Sequence, residues 1–585
     1  MNSQMQYVQR MNRRAFTSAS AAGAGLIALD PLAAACEDLE AETQKLRYPE
    51  KIDLSSLDLS PAKWIWYPAV RTLANTVVLF RREFSLPAKP KSVRGWMLGE
   101  SRYRLEVNGQ RMQWGPPPND PRWPECDPVD LTHVVHEGPN VLGVAVLYYG
   151  DGEGTWPMGL PGLIVCLEIC HADGETEWLV TDERWLCQVC RAWEPGGHRR
   201  SYLRAFQEVF DARKYPSGWS SPNRLEANDW LEATVIECPS DKPVICGKRR
   251  EPIAGIGTPK ETHATMSLRR RSLAMMNETW VPVTRLAEQH VLSWSRPIEE
   301  VFAMRTRDAW QAEPAALVAS KPDGQWEFAL DAERSVALTF EFEEQGVGFP
   351  GLTIDAPEGT TFELLVHDAH AVGSEKVLLD TGHHSWTRFV CRQELQELET
   401  FDFETARWLQ LHFHPGKGNV CIKRVGMRRR IYPWPAEPRV ETSEKKLQRL
   451  FDAATNTLRN CAQETLVDTM GRERQQYSGD ISHQHHALLA LTGETRQVAR
   501  FLVTFSQGMT KDGYFLDCWP AVDRLKRIAQ RQLNLTQWGP LLDHGVQFLL
   551  DGWNYFLYTG DRTPLEEVLP RYLRFAEYLE SIRAS

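Results

Sequence analysis

The chain has 585 residues, a formal net charge of −10 and an isoelectric point near 6.0. A chain of this length is expected to form several domains, and its acidic balance argues against nucleic acids and anionic membranes as partners. Its 21 tryptophans and 15 tyrosines suit sugar-binding surfaces, although most of these rings are expected inside β-sandwich cores.

The N-terminus carries the pattern of an export signal. Asn12-Arg13-Arg14-Ala15-Phe16-Thr17 resembles the twin-arginine motif, a mostly apolar stretch runs from Ala19 to Leu29, and Ala33-Ala34-Ala35 offers a cleavage site. The apolar stretch is too short to cross a membrane. Residues 1–35 are therefore predicted to be a signal peptide that directs the protein to the periplasm or outside the cell. A disordered basic tail and a lipid-modified Cys36 remain the alternatives.

Two β regions are predicted. After an N-terminal linker at 36–60, residues 61–240 read as a β-sandwich, in which Asn108-Gly109 supplies a tight hairpin turn. Residues 241–320 form a less legible connecting region. A second β-sandwich is predicted at 321–432, where apolar residues alternate with polar ones at Val336, Leu338, Phe340 and Phe342.

A proline-rich linker at 433–442 separates the β regions from a helical region at 443–585, because prolines continue neither a strand nor a helix. Apolar residues recur at helical spacing in this region. They predict helices at 443–462, 481–491, 495–509, 541–558 and 565–583. The first of these helices shows one apolar face, made of Leu447, Leu450, Phe451, Ala454, Leu458 and Cys461.

The densest group of chemically active side chains lies in a predicted loop after the first helix, Asp468-Thr-Met-Gly-Arg-Glu-Arg-Gln-Gln-Tyr-Ser-Gly-Asp480. Three carboxylates and two arginines in one loop suit glycoside hydrolysis, which needs an acid for the leaving oxygen and a second carboxylate as base or nucleophile. Arginine can hold a carboxylate ionised or bind sugar hydroxyls. The alternative is a solvated charged loop with local salt bridges.

The loop resembles the signature of the bacterial α-L-rhamnosidases, glycoside hydrolase family 78. The matching positions are Asp468, Arg472, Glu473, Arg474, Tyr477, Gly479 and Asp480, whereas Thr469 and Met470 replace the usual Cys-Pro. The resemblance implies that Glu473 is the general acid of an inverting mechanism. It also implies that Asp468, Arg472 and Asp480 hold rhamnose, and that Tyr477 offers its ring face to the sugar.

The resemblance also implies a multidomain fold, in which two β-sandwich or jelly-roll domains precede an all-α (α/α)6 toroid. Phe403 to Leu411 is similar to the segment that precedes the catalytic domain in this family. The toroid has about twelve helices and about five are predicted here, so we expect a partial toroid with unburied apolar helix faces. The general base of the family, a glutamate late in the toroid, has no counterpart that we can assign.

These observations predict an exported glycosidase that removes terminal α-L-rhamnose from glycans or glycosides. Two alternatives stay open. One is a truncated, catalytically inactive relative that at most binds carbohydrate through its β-domains, and the other is a hydrolase of the same fold acting on another sugar.

Neither a cofactor nor a metal site is predicted, and the sequence indicates no oligomeric state. The close cysteine pairs Cys166/Cys170 and Cys187/Cys190 lie in strand-like runs, which favours buried free thiols over zinc ligands or disulfides. The histidines near one another, His412/His414 and His483/His485/His486, are likewise interpreted as structural, with a substrate contact near His483 as the alternative.

Overall fold

The computed structural model describes most of the chain from residue 57 onward, namely residues 57, 59–69, 71–120, 123–150, 161–195, 207–222, 229–236, 268–304, 309–320, 325–379, 386–510, 512–521 and 541–583. The predicted signal peptide at 1–35 lies outside these residues, as does most of the linker at 36–60. Within the described part, no helix is both long and apolar enough to span a membrane.

The N-terminal β unit consists of two sheets. The strands in this part of the chain are β1 Ile65–Trp66, β2 Thr76–Leu86, β3 Ser92–Glu100, β4 Arg102–Val107, β5 Gln110–Gly115, β6 Glu125–Asp130, β7 Gly138–Tyr148, β8 Gly162–Cys170, β9 Thr176–Val180, β10 Leu186–Val189, β11 Glu208–Asp211, β12 Leu231–Glu232, β13 Thr234–Val235 and β14 Arg269–Arg270. The first sheet has the order β13-β1-β8-β3-β6-β14, with β9 paired to β8, and the second has the order β12-β10-β2-β7-β4-β5, whereas β11 belongs to the next unit.

The second sheet of this unit is buried on both faces. Side chains alternate along a strand, so Val78 and Phe80 pack between the two sheets, whereas Val77 and Leu79 pack into the core of the next unit. The predicted Asn108-Gly109 turn is confirmed, since both residues have positive φ (52° and 80°) and Val107 pairs with Gln110 across it.

The second β unit is built on one twelve-stranded sheet. Its strands are β11 from above and β15 Asn277–Pro282, β16 Arg285–Trp294, β17 Trp310–Pro314, β18 Ala319–Ser320, β19 Trp326–Ala329, β20 Ser335–Asp355, β21 Thr361–His367, β22 Trp386–Val390, β23 Gln396–Glu399, β24 Glu404–Phe413 and β25 Asn419–Ile431. A short helix, α1 (Ile298–Met304), follows β16.

This sheet extends across two of the domain boundaries predicted from the sequence, because it pairs strands from distant parts of the chain. β16 precedes residue 321 and pairs with β20, and β11 lies within the predicted first domain yet pairs in parallel with β22. The long strand β20 shifts register between Glu341 and Gly346. β24 pairs on both sides of this shift, whereas β16 pairs only with the first half of β20 and β23 and β25 only with the second half. Both halves contribute to one core cluster.

The helical unit contains α2 Lys445–Cys461, α3 Ser478–Ala487 with a π-helical turn at Leu488–Thr492, α4 Arg496–Ser506, α5 Leu542–Thr559 and α6 Thr563–Arg583. Its core is aromatic, with Phe501, Phe505, Phe548 and Phe575 in one cluster. Only the C-terminal end of the predicted apolar face of α2 is buried. Leu458 and Cys461 lie in the interior, whereas Leu447 and Leu450 are 56% and 66% exposed.

An apolar stripe on α5 faces solvent. Val546, Leu550, Trp553 and Leu557 are all exposed, and their spacing places them on one side of the helix. An unburied apolar face of this kind was expected for the helical region.

The close cysteine pairs form no disulfides. Cys166, Cys187 and Cys190 are buried and Cys170 is partly exposed, and none of the four takes part in a disulfide within the described residues. Burial raises the pKa of the Cys187 and Cys190 thiols to about 12, which keeps them protonated and poor as metal ligands. This agrees with the interpretation of these cysteines as buried thiols.

Candidate active site

Most of the charged motif lies in the loop at residues 462–477, which connects α2 and α3, and its last residues, Ser478 to Asp480, begin α3 and do not lie in the predicted loop. Asp468 and Gln475 close this loop through two hydrogen bonds. The amide of Asp468 donates to the carbonyl oxygen of Gln475 (3.0 Å), and the amide of Gln475 donates to Oδ1 of Asp468 (2.9 Å). The residues between them, Glu473 included, therefore form a compact turn.

Glu473 is held by two of the predicted site residues. One carboxylate oxygen lies 2.5 Å from Nη2 of Arg472, and the other accepts a hydrogen bond from the hydroxyl of Tyr477 (2.6 Å). The Glu473 side chain is only 12% exposed, whereas Arg472 is 60% exposed. These two contacts fix the orientation of the Glu473 carboxyl group, and its exposed part remains accessible to solvent.

Tyr477 is fixed because it begins a helix. It is the N-cap residue of α3 with extended backbone geometry, and its ring meets the ring of His544 edge-on at 6.0 Å between centroids. His544 lies in the first turn of α5. Gly479 is required beside it, since a Cβ at this position would lie 2.6 Å from the His544 ring.

The segment at 512–521 contacts the loop from another side. Tyr477 forms an isolated β-bridge with Cys518, and the Cys518 thiol donates to Oε1 of Gln475 at 3.3 Å. Nε2 of Gln476 donates to the carbonyl oxygen of Trp519 (2.7 Å). These bonds join two loops that are distant in sequence into one side of the site.

Asp468 is a carboxyl group of this site whose pKa is raised by its surroundings. Its burial raises the pKa to about 7, and the charges of Glu473 and Asp480 add to this effect against the hydrogen bonds from Gln475 and Thr469. Asp480 itself is exposed in the first turn of α3. Glu473 and Asp480 are thus both close enough to Asp468 for their charges to disfavour its ionised form.

We expect Asp468→Asn to be more stable than the parent at pH 8 and equal to it at pH 4. The raised pKa means that the fold disfavours the charged carboxylate. The penalty is absent below pH 4, grows up to pH 7 and is complete above it. The amide keeps the acceptor for Gln475, so the gain at pH 8 should be about 2–4 kcal/mol. Urea unfolding at the two pH values measures it, and an equal difference at both would contradict the expectation.

Sequence reasoning missed two parts of this site. His544 comes from a helix remote in sequence, and only its place at the start of a predicted helix hints at a role. The side chain of Arg474 points away from the solvent side and pairs with Glu404 of β24. His483, the histidine considered as a substrate contact, is exposed on α3, and His485 packs against Phe501.

A group of possible metal ligands occurs in the second β unit, at Glu363, His412 and His414. Glu363 accepts hydrogen bonds from Arg388 (2.7 Å), His412 (2.8 Å) and His414 (2.8 Å). Burial would raise the pKa of Glu363, but the two histidines outweigh it and hold the pKa well below its usual range. The arginine and the closed hydrogen bonds indicate a structural network.

Comparisons with known proteins place these observations in a family. Residues 437–584 match the bacterial α-L-rhamnosidase six-hairpin glycosidase domain. Residues 88–254 match the α-L-rhamnosidase N-terminal domain. The chain belongs to the bacterial α-L-rhamnosidases. The six-hairpin match covers the helical unit and the loop that carries Glu473.

Similar rhamnosidases support this assignment. An α-L-rhamnosidase of Streptomyces avermitilis is 23% identical over 529 residues, which are 87% of this chain and 42% of the relative. This chain thus spans less than half the length of that curated relative.

Solved rhamnosidase structures share the fold. A family 78 rhamnosidase of Bacillus sp. GL1 aligns with a TM-score of 0.69 at 17% identity, over 89% of this chain and 69% of its own. The Streptomyces avermitilis α-L-rhamnosidase complexed with L-rhamnose aligns with a TM-score of 0.58 at 20% identity, over 87% of this chain and 42% of its own. The expected order of β units followed by six-hairpin helices is therefore confirmed.

Proposed function

We propose that this rhamnosidase-family chain removes terminal α-L-rhamnose from glycans or glycosides, with Glu473 as the general acid. The observation that carries the proposal is the environment of Glu473. Its carboxyl group is mostly buried, is held by Arg472 and Tyr477, and keeps one side open to solvent. A proton donor needs this combination of fixed orientation and access to the leaving oxygen.

The neighbouring groups suit the recognition of a sugar. Arg472 and Asp480 are exposed beside Glu473, and a guanidinium and a carboxylate offer several donors and acceptors to adjacent hydroxyls. Asp468, with its pKa near 7, can serve as donor or acceptor at neutral pH. We assign Asp468, Arg472, Tyr477 and Asp480 to the binding of rhamnose, the sugar present in the related Streptomyces complex.

We further propose an inverting reaction, in which Glu473 protonates the glycosidic oxygen while a second carboxylate deprotonates the attacking water. Such a pair of carboxyl groups lies about 6.5–9.5 Å apart, which leaves room for the water. No residue of this chain is assigned as that base.

A panel of aryl glycosides tests the substrate. The parent chain is incubated with aryl α-L-rhamnoside and with the matching α-L-fucoside, α-D-mannoside and β-D-glucoside. Selective release of the aryl group from the rhamnoside supports the proposal. Release from another member only would identify a hydrolase for a different sugar, and binding of L-rhamnose without any release would identify a carbohydrate-binding relative.

We also propose export through the twin-arginine route, because Arg13 and Arg14 stand before an apolar stretch that ends in Ala33-Ala34-Ala35. Changing both arginines to lysine should retain the protein in the cytoplasm, as measured by cell fractionation and immunoblotting. Unchanged export of the double variant would contradict this route.

A further inference from the structure

A buried ion pair between Arg474 and Glu404 joins the turn that carries Glu473 to the second β unit. Nη2 of Arg474 lies 2.6 Å from an oxygen of Glu404, the first residue of β24, and the two side chains are only 5% and 3% exposed. Because both charges are removed from water and paired with each other, this contact is specific to one position of the loop.

Arg474 holds the turn at several points at once. Its Nε donates to the carbonyl oxygen of Met470 (2.8 Å), its amide donates to the carbonyl oxygen of Thr469 (3.0 Å), and its guanidinium lies 4.6 Å from the centre of the Phe403 ring. The same residue has a φ of +54°, a left-handed conformation that costs about 1 kcal/mol or more for residues other than glycine. The turn therefore depends on these contacts.

The β unit meets the loop at a second point. A Cβ on Gly471 would lie 3.3 Å from Oδ2 of Asp368 and 3.7 Å from Cγ2 of Thr405. Thr405 follows Glu404 in β24, so adjacent residues of one strand lie close to both ends of the short run from Gly471 to Arg474. Glu473 lies between these two contacts.

We infer that Glu404 is a positioning residue, which acts through Arg474 to fix the turn and thereby the direction of the Glu473 carboxyl group. Glu404 lies in the segment Phe403–Leu411 and Arg474 lies in the charged loop, so this ion pair connects the two segments that were singled out in the sequence. The effect of Glu404 on catalysis rests on the proposed function, whereas its effect on the position of the loop does not.

Two measurements on Glu404→Gln test the inference, with Glu399→Gln as the matched control. Glu399 belongs to β23 and is a partly buried partner of two arginines, Arg428 of the same β unit at 2.9 Å and Arg111 of β5. The first measurement is amide hydrogen exchange of residues 468–477. Exchange should accelerate about tenfold in Glu404→Gln and stay at the parent rate in Glu399→Gln. Unchanged exchange in Glu404→Gln would overturn the inference, whether or not the chain is active.

The second measurement compares two substrates, 2,4-dinitrophenyl and phenyl α-L-rhamnoside. The dinitrophenolate leaves without a proton, whereas phenolate needs the general acid. Glu404→Gln should lower kcat/KM for the phenyl substrate about tenfold more than for the dinitrophenyl substrate. An equal loss on both substrates would assign Glu404 a purely structural role. An inactive parent would refute the proposed function and leave the exchange result to decide the contact.

Discussion

Glu473→Gln is expected to lower kcat/KM for phenyl α-L-rhamnoside by about 10²–10⁴-fold, the usual contribution of a positioned general acid. The amide has nearly the same shape and can still accept the hydrogen bond from Tyr477, but it cannot transfer a proton. On 2,4-dinitrophenyl α-L-rhamnoside the loss should be much smaller, because this leaving group departs without protonation. Steady-state kinetics on the two substrates measure both effects.

Glu437→Gln provides the control for this substitution. Glu437 pairs with Arg459 at the surface of the same unit and is 59% exposed. It should retain parent activity on both substrates. A Glu473→Gln variant that hydrolyses the phenyl substrate as fast as Glu437→Gln would assign the general acid to another group.

Glu464→Gln is expected to destabilise the protein by about 3–5 kcal/mol, the usual cost of leaving a buried charge without its partner. The Glu464 carboxylate lies 2.9 Å from Arg430 and 3.2 Å from Arg271, and Arg271 also pairs with Asp127 of β6 at 2.9 Å. All these side chains are nearly inaccessible to solvent. The variant removes the carboxylate charge that faces Arg430, Arg271 and Arg102 where both β units meet the helical unit.

The pH dependence of this contribution has a definite sign. Burial would raise the pKa of Glu464, but Arg430, Arg271 and Arg102 outweigh it and lower the pKa to about 2. The stabilisation is therefore complete above the unfolded pKa of about 4.5 and is lost as the pH falls toward 2. Urea unfolding followed by tryptophan fluorescence should separate parent and variant widely at pH 7 and little at pH 2.5.

The surface pair of Glu437 again serves as the reference. Glu437→Gln should cost less than about 1 kcal/mol, since exposed ion pairs contribute little. A Glu464→Gln variant no less stable than Glu437→Gln at pH 7 would show that the buried network does not hold the units together.

The sequence was most informative where the signal is local. Helical spacing predicted the positions of α2 to α6 to within a few residues, because side chains three and four positions apart share one face of a helix. The short helix α1 was not predicted. Asn108-Gly109 predicted its hairpin for the same reason. The charged motif predicted which residues surround Glu473, since Arg472 and Tyr477 are only one and four positions away from it.

The sequence was least informative where distant segments meet. The parallel pairing of β11 with β22, the contact between His544 and Tyr477, and the ion pair of Glu404 with Arg474 join residues far apart in the chain. The periodicity within one segment does not indicate which distant residues that segment contacts. Leu447 and Leu450 belong to the predicted apolar face of α2 and yet are exposed. An apolar pattern indicates a helix face that can be buried, but it does not indicate which element covers that face.

The most direct test of the central claim is the configuration of the sugar first released from an aryl α-L-rhamnoside by the parent chain, followed by ¹H NMR. An inverting rhamnosidase with Glu473 as acid releases β-L-rhamnose first, and the α anomer appears only later by mutarotation. Initial release of α-L-rhamnose, or no release from folded protein, would contradict this account.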